Sequence, residues 1–455
     1  MDVIESHAPA RPAHIVGTVQ VRSPTELAAL AQAASQAQIS WQSAGAETRS
    51  AMLAEAACRI REHRRRLVEL IVAEVGKPIT EAEAEVDRSA AILRYHAESA
   101  MLPTGDTLPP VGAERLLYSE RRPRGVGLVI TPWNFPLAIP VWKSAPALAA
   151  GNSVLLKPAP QSVMCAEALA EVFAHLPAGT FTLVHGTARE AGFLIDDPHV
   201  SCVSITGSVR AGHAVVRRAA RRALPAQAEM GGHNPSIVLA DADLPNAARV
   251  IASAAMAYAG QKCTATRRII VDRTIADGFK DALVAEVRRL RVGAPEDPAT
   301  QVGPLISEQA RDTALDAAMT GGRLLTGGPM RGDGHFMSPA LVELDDPGAR
   351  LAQEEVFGPV AGILTADGLD EAVELANGTG YGLVASVFTN DLGRALHASA
   401  RLRAGLFRVN LPTTGVDLHA PFGGVGLSSY GPREQGPRAA EFWTTTHTVT
   451  IGASL

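Results

Sequence analysis

The spacing of apolar residues changes near residue 125 and divides the chain into two kinds of pattern. Before this point, apolar residues recur at helical spacing in segments rich in alanine, at 24–38, 47–75 and 79–100. After it, short apolar runs alternate with helical patterns, and each run has the length of a buried strand. The sequence therefore predicts a helical region followed by a succession of strand and helix pairs.

The strand and helix pairs form two series. The apolar runs of the first lie at 126–130, 154–156, 181–184 and 203–205, and those of the second at 236–239, 269–271, 383–388 and 406–409. Repeated βα pairs favour a doubly wound parallel sheet, so we expect an α/β fold with two such sheets, divided near Gly231 and Gly232. Residues 1–23 are predicted to be a loose lead-in, 101–110 a linker and 116–122 a further strand.

Length, charge and cysteine usage narrow the class of protein. A chain of 455 residues is too long for one hydrophobic core, so two or three domains are expected. The formal net charge of −5 gives no electrostatic basis for binding nucleic acid or a membrane surface. Without an apolar run of membrane-spanning length or an apolar signal near the start, we expect a cytoplasmic protein. The cysteines are too scattered for a disulfide framework or a zinc site; they are Cys58, Cys165, Cys202 and Cys263.

Cys263 has the sequence context of a reactive thiol. It lies in a short polar loop, Y-A-G-Q-K-C-T-A-T-R-R, between an alanine-rich helical run and the apolar run at 269–271. Lys262, Arg267 and Arg268 are its neighbours, and nearby positive charge lowers the pKa of a thiol. The alternative is a half-buried cysteine that serves only as a small apolar side chain.

Polar residues follow two strands of the first series. Segment 131–136 reads T-P-W-N-F-P directly after its strand, and ligands of open α/β sheets bind at the carboxyl ends of strands. The amide of Asn134 is a candidate donor to an oxyanion, and the alternative is a proline-bounded turn with a packing tryptophan. Lys157 ends the next strand and is a candidate for ribose or phosphate contact, or simply a lysine that faces solvent.

Segment 205–212 combines a strand end, a glycine turn and a helix start. Ser208 can cap that helix, and a helix N-terminus favours a phosphate group. The segment lacks the G-x-G-x-x-G pattern, so taken alone it is a weak dinucleotide signal.

Two acidic segments are candidates for proton transfer or ligand binding. Glu229 stands at a strand end before a Gly-Gly turn, where a carboxylate could act as a general base or be a solvated charge. Glu354 and Glu355 precede an apolar turn that contains Phe357, and the alternative there is a loop that is merely acidic.

Taken together and in this order, the motifs resemble those of the aldehyde dehydrogenase superfamily. The resemblance runs from about residue 16 to residue 449. The matching segments are P-W-N-F-P at 132–136, K-P at 157–158, T-G-S-V-R-A-G at 206–212, E-M-G-G at 229–232, G-Q-K-C at 260–263 with Arg268, E-E-V-F-G-P at 354–359, N-G-T-G-Y-G-L at 377–383, Asn410, and F-G-G at 422–424 with Arg433 and Glu434.

The resemblance implies a mechanism. Cys263 would attack an aldehyde carbonyl as a thiolate, and the Asn134 amide with the Cys263 backbone N–H would form the oxyanion hole. Hydride would pass to a nicotinamide, and Glu229 would activate the water that hydrolyses the resulting thioester. No metal is implied, and no residues have metal-site spacing. The residues implied to bind the cofactor are Thr131, Trp133, Lys157, Gly207, Ser208, Gly212, Glu355 and Phe357.

The resemblance also implies a domain plan. Residues 1–103 and 125–231 would form the cofactor-binding domain, and 232–441 the catalytic domain. Residues 104–124 and 442–455 would form a small β element for oligomerisation, so we expect a homodimer or homotetramer that acts on a small-molecule aldehyde.

The identity of the cofactor is open between NAD and NADP. The family pattern Lys-Pro-x-Glu ends in Pro160 here, so the carboxylate that would bind the adenosine ribose hydroxyls is absent. Because an acid at that position repels a 2′-phosphate, its loss favours NADP or dual use.

The substrate is open between two classes. The loop at 260–266 and the segment 415–421 look like those of 2-oxoglutarate semialdehyde dehydrogenases, and Arg267 and His419 are then candidate partners of a substrate carboxylate. Trp142, with Phe422 as a further candidate, instead suggests an aromatic-walled channel for a general aliphatic or aromatic aldehyde.

Two rival functions are disfavoured by the residues present. An acylating dehydrogenase that passes the thioester to coenzyme A would usually lack the base, whereas Glu229 is present. A non-catalytic binding or structural protein of the same fold should have lost the nucleophile or the base, and both remain with Asn134.

Overall fold

The computed structural model describes residues 2–111 and 115–452. Its helices are α1 Pro24–Ser43, α2 Gly45–Glu62, α3 Arg64–Val75, α4 Ile79–Ser99, α5 Ala138–Ala149, α6 Val163–Val172, α7 Ala188–Asp196, α8 Val209–Ala220, α9 Leu244–Met256, α10 Ala276–Arg289, α11 Glu308–Thr320, α12 Arg350–Gln353, α13 Gly368–Asn377, α14 Leu392–Arg401 and α15 Ala439–Trp443. Its strands are β1 Val3–Ala8, β2 Arg11–Gln20, β3 Thr107–Leu108, β4 Arg115–Pro123, β5 Val126–Ile130, β6 Ser153–Lys157, β7 Phe181–Leu183, β8 Val200–Thr206, β9 Ala226–Glu229, β10 Asn234–Val238, β11 Thr266–Asp272, β12 Arg323–Pro329, β13 Met337–Glu343, β14 Val360–Ala366, β15 Val384–Phe388, β16 Leu406–Val409, β17 Ser429–Tyr430 and β18 Thr444–Gly452.

The first large sheet has six strands in the order β17-β9-β8-β5-β6-β7. Its neighbours are parallel except for β17, which pairs antiparallel with β9. In this register Ile130 lies between Lys157 and Ile205. The segments that follow β5, β6 and β8 therefore emerge side by side at one edge of the sheet, where a ligand of an open α/β sheet binds.

The second large sheet has seven strands in the order β12-β13-β14-β11-β10-β15-β16, and all neighbours except β12 and β13 are parallel. The chain enters it at Asn234, directly after the Gly-Gly turn that follows Glu229. The amino ends of β10 and β11 therefore face the edge at which the first sheet presents its carboxyl ends. The expected α/β fold with two doubly wound sheets is confirmed, and β17 is an antiparallel return from the later part of the chain.

Local sequence explains where α1 begins and why two central strands are buried. Ser23 caps α1, since its hydroxyl accepts the N–H of Glu26 while the Glu26 carboxylate accepts the N–H of Ser23 at 2.7 Å. Strands β5 and β6 are buried on both faces, as their continuous apolar runs predict for central parallel strands. Helix α4 packs against α2 and α5, which places one of its faces beside the segment 131–136.

A three-stranded antiparallel sheet in the order β18-β4-β3 combines chain segments far apart in sequence. Strand β18 pairs with β4 from Thr444 opposite Pro123 to Gly452 opposite Arg115. The predicted strand at 116–122 is thereby confirmed.

Two local predictions are wrong. Residues 1–23 are not a loose lead-in, because β1 and β2 form an antiparallel hairpin in which Val3 pairs with Gln20. Ile4 and Val21 pack on Val163, so the hairpin is stabilised by contacts with a distant helix that its own polar composition does not reveal. The helix predicted at 47–75 is two helices, since the chain turns at His63 without a glycine or proline to signal it. No helix in the described ranges combines the length and the apolar character needed to cross a membrane.

Candidate active site

Two cavities meet between the large sheets, and Cys263 lines both of them. The larger, of about 540 Å³, is lined by Asn134, Ser208 and Glu355, and we call it the cofactor cavity. The smaller, of about 320 Å³, is lined by Trp142, Glu229 and Phe422, and we call it the substrate cavity. The structure thus brings the three expected catalytic residues to one place, with the thiol at the junction.

The loop before Cys263 has an unusual backbone. Tyr258, Ala259 and Gly260 all have positive φ, at 54°, 51° and 64°. A left-handed conformation costs about 1–2 kcal/mol for a residue other than glycine, so other contacts must hold this turn. Such strain directly before the nucleophile fixes the direction from which the chain delivers the thiol.

Arg267 supplies those contacts. Its side chain is 1% exposed, and its guanidinium donates to the carbonyl oxygens of Gly260 and, at 2.6 Å, of Gly358. A Cβ on Gly260 would lie 2.3 Å from the same Gly358 oxygen, so only glycine fits there. Arg267 therefore ties the strained turn to the loop that contains Glu355 and Phe357.

Two amide side chains, which the sequence analysis missed, hold the remainder of the loop. Asn234 donates from Nδ2 to the carbonyl oxygens of Cys263 and Ala265, both at 2.8 Å. Gln261 accepts the N–H of Ile306 at 2.9 Å and donates to a neighbouring carbonyl. Gln261 lies within the G-Q-K-C motif and Asn234 begins β10, but a single amide side chain has no pattern that distinguishes structural from exposed positions.

The expectation that positive charge activates Cys263 is wrong. Lys262 is paired with Glu81 at 2.7 Å, and Arg268 donates to the carbonyls of His233, Leu375 and Ala376. Burial raises the pKa of the Cys263 thiol to about 12, and the negative charges of Glu355 and Glu229 raise it further. In the protein without ligands, the thiol is therefore protonated at neutral pH.

Asn134 lies at the wall between the sheets. Its Nδ2 donates one hydrogen bond to the carbonyl oxygen of Gln261 at 2.9 Å. An amide nitrogen has two donor hydrogens, and the second has no acceptor among the described residues. A buried donor beside the nucleophile has the chemistry of an oxyanion-hole group.

Glu229 ends β9 and lines the substrate cavity on the far side of Cys263. The hydroxyl of Ser429 donates to its carboxylate at 2.6 Å. Burial raises the pKa of Glu229 well above its ordinary value, and the nearby charge of Glu434 raises it further. Its proton affinity is therefore far higher than that of an exposed carboxylate.

A buried polar chain lies behind Glu229. Glu434 pairs with Lys143, and both side chains are at least 95% buried. Lys143 also donates to the hydroxyl of Ser204 at 2.8 Å, and this hydroxyl donates to Gln227 at 2.9 Å. Ser429 and Lys143 had no recognisable signal in the sequence, because a short strand and an apolar helix surround them.

The Gly-Gly turn after Glu229 is required by close approach. A Cβ on Gly231 would lie 1.8 Å from Oε2 of Glu355, and one on Gly232 would lie 2.5 Å from the backbone oxygen of Cys263. The turn lets the general-base candidate, the nucleophile and Glu355 share one small volume.

The cofactor cavity is lined by five of the eight residues expected to bind a cofactor, namely Trp133, Gly207, Ser208, Glu355 and Phe357. Trp133 and Phe357 contact edge to face, with ring centroids 5.7 Å apart. Ser208 caps α8 by accepting the N–H of Ala211 at 3.2 Å, and Gly207 and Ser208 place the start of this helix in the cavity wall. Glu355 accepts the N–H of Gly232 at 3.2 Å, and burial raises its pKa to about 7 while the charge of Arg267 opposes the rise. A cavity of about 540 Å³ with a helix N-terminus, aromatic walls and a carboxylate fits a dinucleotide.

The other three lie outside the lining of this cavity. Gly212 packs under Met230, whose sulfur would be 2.4 Å from an added Cβ. Thr131 is buried at the strand end, where its N–H donates to the Lys157 carbonyl at 3.1 Å. The Lys157 side chain is buried, which lowers its pKa to about 8, while the charge of Glu190 opposes the shift.

The substrate candidates separate into two groups. Trp142 and Phe422 contact edge to face with centroids 4.8 Å apart and line the substrate cavity. Arg267 donates to the carbonyls of Gly260 and Gly358 and does not line the substrate cavity, and His419 is exposed outside the cavity lining. The cavity lining instead contains Arg88 and Lys262, neither of which was predicted to contact the substrate.

In the described part of the chain, no three His, Cys, Asp or Glu side chains gather as a metal site would require.

The raised pKa of Cys263 predicts its reactivity. Alkylation of Cys263 by iodoacetamide should be slow at neutral pH and rise about tenfold per pH unit between pH 7 and 9, because only the thiolate reacts. Mass spectrometry of the labelled peptide measures the rate, with the exposed Cys58 as a reference for the reagent. A rate that levels off below pH 8.5 would contradict the burial argument.

Residues 2–449 match the family model described as "Aldehyde dehydrogenase family". The chain is 37% identical to an alpha-ketoglutaric semialdehyde dehydrogenase of Bacillus subtilis, over 99% of this chain and 95% of that protein. It is also 37% identical to an alpha-ketoglutarate semialdehyde dehydrogenase of Haloferax volcanii, over 97% and 94% of the two chains. The solved structure of a betaine aldehyde dehydrogenase from Staphylococcus aureus in complex with NAD+ superposes with a TM-score of 0.94 at 30% identity, covering 99% of this chain and 92% of that one. The chain therefore belongs to the aldehyde dehydrogenase family and is an NAD(P)-dependent aldehyde dehydrogenase.

Proposed function

We propose that this enzyme oxidises a semialdehyde acid, with 2-oxoglutarate semialdehyde as the first candidate, and that Cys263, Glu229 and Asn134 perform the reaction. The observation that supports these roles is the position of Cys263 at the junction of two cavities. One cavity presents the base candidate and the other the oxyanion donor. A thiol that reaches both can bond a substrate on one side and remain beside a cofactor on the other.

Proton transfer begins the reaction. The ionised form of Glu229 takes the proton of the Cys263 thiol. Because burial raises the pKa of both groups, the difference between the two pKa values is smaller than it would be with an exposed carboxylate. The sulfur then bonds the aldehyde carbon, and the negative charge on the carbonyl oxygen is stabilised by the Asn134 amide and the Cys263 backbone N–H.

A nicotinamide cofactor, when bound, would supply the hydride acceptor. Loss of hydride from the carbon bonded to sulfur, with the C=O bond re-forming, would leave a thioester on Cys263. Glu355 lies beside Cys263 and would hold a ribose, Ser208 and the start of α8 would hold the pyrophosphate, and Trp133 with Phe357 would wall the cavity. Lys157, at the neighbouring strand end, would bind the second ribose.

Hydrolysis of the thioester returns the enzyme to its starting form. Glu229 first releases the thiol proton to solvent and then accepts a proton from water, whose oxygen bonds the acyl carbon. The carbon–sulfur bond breaks, and the leaving thiolate takes this second proton from Glu229. The products are a carboxylic acid and the free thiol. The buried pair of Lys143 and Glu434 lies behind Glu229, so the proton held by Glu229 has polar rather than apolar neighbours.

The relatives' names and the cavity support different substrate classes. Two relatives are named as dehydrogenases of 2-oxoglutarate semialdehyde, which favours a semialdehyde acid. The aromatic contact of Trp142 with Phe422 favours an apolar aldehyde. We take the semialdehyde acid as the main proposal and a general aliphatic or aromatic aldehyde as the alternative.

The proposed chemistry predicts the effect of removing the nucleophile. The wild-type enzyme should form a carboxylic acid from the aldehyde with NAD or NADP and without coenzyme A. Cys263→Ala should lower kcat by at least about a thousandfold, since no thioester can form. Production of NADH or NADPH measures the rate. Strict dependence on coenzyme A, or a Cys263→Ala variant as active as wild type, would refute the mechanism.

The cofactor proposal is dual use of NAD and NADP. Pro160 supplies no carboxylate near Lys157, and Glu190, whose charge Lys157 senses, already accepts hydrogen bonds from Thr187 and Arg189. The region around Lys157, where the adenosine ribose would lie, therefore offers neither a free acid to bind ribose hydroxyls nor a strong barrier to a 2′-phosphate.

An acidic side chain at position 160 should make the enzyme prefer NAD over NADP. Pro160→Glu should lower kcat/KM for NADP relative to NAD by about tenfold, because its carboxylate would repel the 2′-phosphate. Pro160→Gln, of equal size and without charge, is the matched control and should leave the ratio within about threefold of wild type. Equal changes in both variants would assign the effect to backbone shape rather than charge and would contradict the prediction.

We also propose the domain plan and the quaternary role given by the resemblance. Strand β18 forms the outer edge of the three-stranded sheet, and the exposed apolar side chains there include Leu108, Leu116 and Ile451. An unpaired edge with apolar residues favours pairing with a second copy. Light scattering should give a mass two or four times that of the 47.6 kDa chain, and a monomer at micromolar concentration would contradict this role.

A further inference from the structure

Helix α4 forms one wall of the substrate cavity. Glu81, Ala84, Glu85 and Arg88 lie on one face of this helix at intervals of three and four residues, and all of them line the cavity. The backbone segment 414–416 lies opposite, and Arg88 donates a hydrogen bond to the carbonyl oxygen of Val416. Arg88 therefore spans the space between the helix and this segment.

The acids of the cavity, other than Glu229, are each paired with a lysine. Glu81 accepts from Lys262 at 2.7 Å. Glu85 is paired with Lys77, with both side chains at 0% exposure. The third such pair is Glu434 with Lys143. Glu229 is the exception: it accepts a hydrogen bond from the Ser429 hydroxyl, and burial raises its pKa well above the ordinary value.

Arg88 also lines the cavity, but it forms no salt bridge with any of these acids. Among the residues that the structure describes, no carboxylate lies within 4.0 Å of its guanidinium, although Asp417 attracts it from farther away. The side chain is half-buried, so part of its hydration is already lost. A guanidinium has five N–H donors, and the Val416 carbonyl uses one of them here.

A half-buried guanidinium with free donors has a preferred ligand. Its planar fork matches the two oxygens of a carboxylate, and partial burial strengthens the interaction relative to open water. Phe135, Ile139 and Trp142 give the cavity one apolar wall. The cavity thus suits a molecule with a carboxylate at one end, an apolar chain and an aldehyde at the other end.

We propose that Arg88 binds the distal carboxylate of the substrate and so selects semialdehyde acids over uncharged aldehydes. The inference rests on the proposed function, since it assigns a specificity role within the same cavity. It replaces Arg267 and His419, the expected partners of a substrate carboxylate, neither of which lines the cavity. Lys262 is less suited because Glu81 already neutralises it.

Two aldehydes of equal chain length test the proposal. 5-Oxopentanoate and pentanal both have five carbons, and only the first has a carboxylate. Arg88→Met should lower kcat/KM for 5-oxopentanoate by about 30-fold, mainly through KM, because a charge-assisted contact to the bound substrate is lost. With pentanal, kcat/KM should stay within about twofold of wild type, since pentanal makes no such contact.

Two further variants separate charge from geometry and from helix stability. Arg88→Lys keeps the charge without the fork, so it should recover part of the lost kcat/KM for 5-oxopentanoate. Arg94→Met removes the same charge from an exposed position of α4 and should leave both substrates within about twofold. A loss that is equal for the two aldehydes, or no loss with 5-oxopentanoate, overturns the proposal.

The wild-type enzyme distinguishes this proposal from the one on which it rests. If wild type oxidises both aldehydes without preferring 5-oxopentanoate, the role of Arg88 is overturned while aldehyde oxidation stands. If wild type oxidises neither aldehyde with NAD or NADP, the proposed function itself fails.

Discussion

The contact between the Arg267 guanidinium and two backbone carbonyls is the constraint on which the site depends. One carbonyl belongs to Gly260, in the left-handed turn before the nucleophile, and the other to Gly358, in the loop of Glu355 and Phe357. Burial without an acid partner is costly for an arginine, and it lowers the pKa of Arg267 to about 10. The carbonyl dipoles and the charge of Glu355 offset that cost. These contacts therefore fix the positions of the strained turn, the thiol and the loop of Glu355 and Phe357 relative to one another.

Buried charge pairs organise the other side of the thiol. Lys77 is enclosed between the rings of Phe135 and Tyr258, at 3.7 and 4.6 Å from their centroids, and pairs with Glu85. Glu85 also accepts the N–H groups of Leu137 and Ala138 at the start of α5, both at 3.0 Å. Breaking a buried pair is far more destabilising than breaking an exposed one, so these pairs fix the cavity walls. They also leave Arg88 as the cation that is open to a ligand.

The sequence was sufficient for the parts of the fold and site that follow local patterns. Apolar runs predicted β5 and β16 at their observed bounds, because an apolar run of strand length is a local signal in the sequence, and β5 is also buried on both faces. The motif residues Cys263, Glu229 and Asn134 meet at the cavities because they follow strand ends or lie beside them. The hairpin of β1 and β2 was missed, although residues 3–8 alternate between exposed and buried positions, because its partner surface is distant in the chain.

The side chains that the sequence misassigned are those whose role depends on packing. Lys262 closely precedes Cys263 and Arg267 closely follows it, yet Lys262 pairs with Glu81 and Arg267 donates to backbone carbonyls. Proximity in sequence therefore did not predict which charges act on the thiol. Burial instead determines the pKa of Cys263, and burial is a property of the assembled sheets. Arg88 had no signal either, since only the packing of α4 against the segment 414–416 turns it toward the substrate.

The central claim is that Cys263 forms a covalent thioester which Glu229 then helps to hydrolyse. Rapid mixing of a Glu229→Gln variant with NAD and 5-oxopentanoate, followed by acid quench and mass spectrometry of the peptides, tests it most directly. The account predicts that an acyl group accumulates on Cys263 toward one per subunit together with one equivalent of NADH, more slowly than in the wild type because the thiol must lose its proton without Glu229. The acyl group then persists, because its hydrolysis also lacks the base. Steady turnover at the wild-type rate, or an acyl group on a residue other than Cys263, would contradict it.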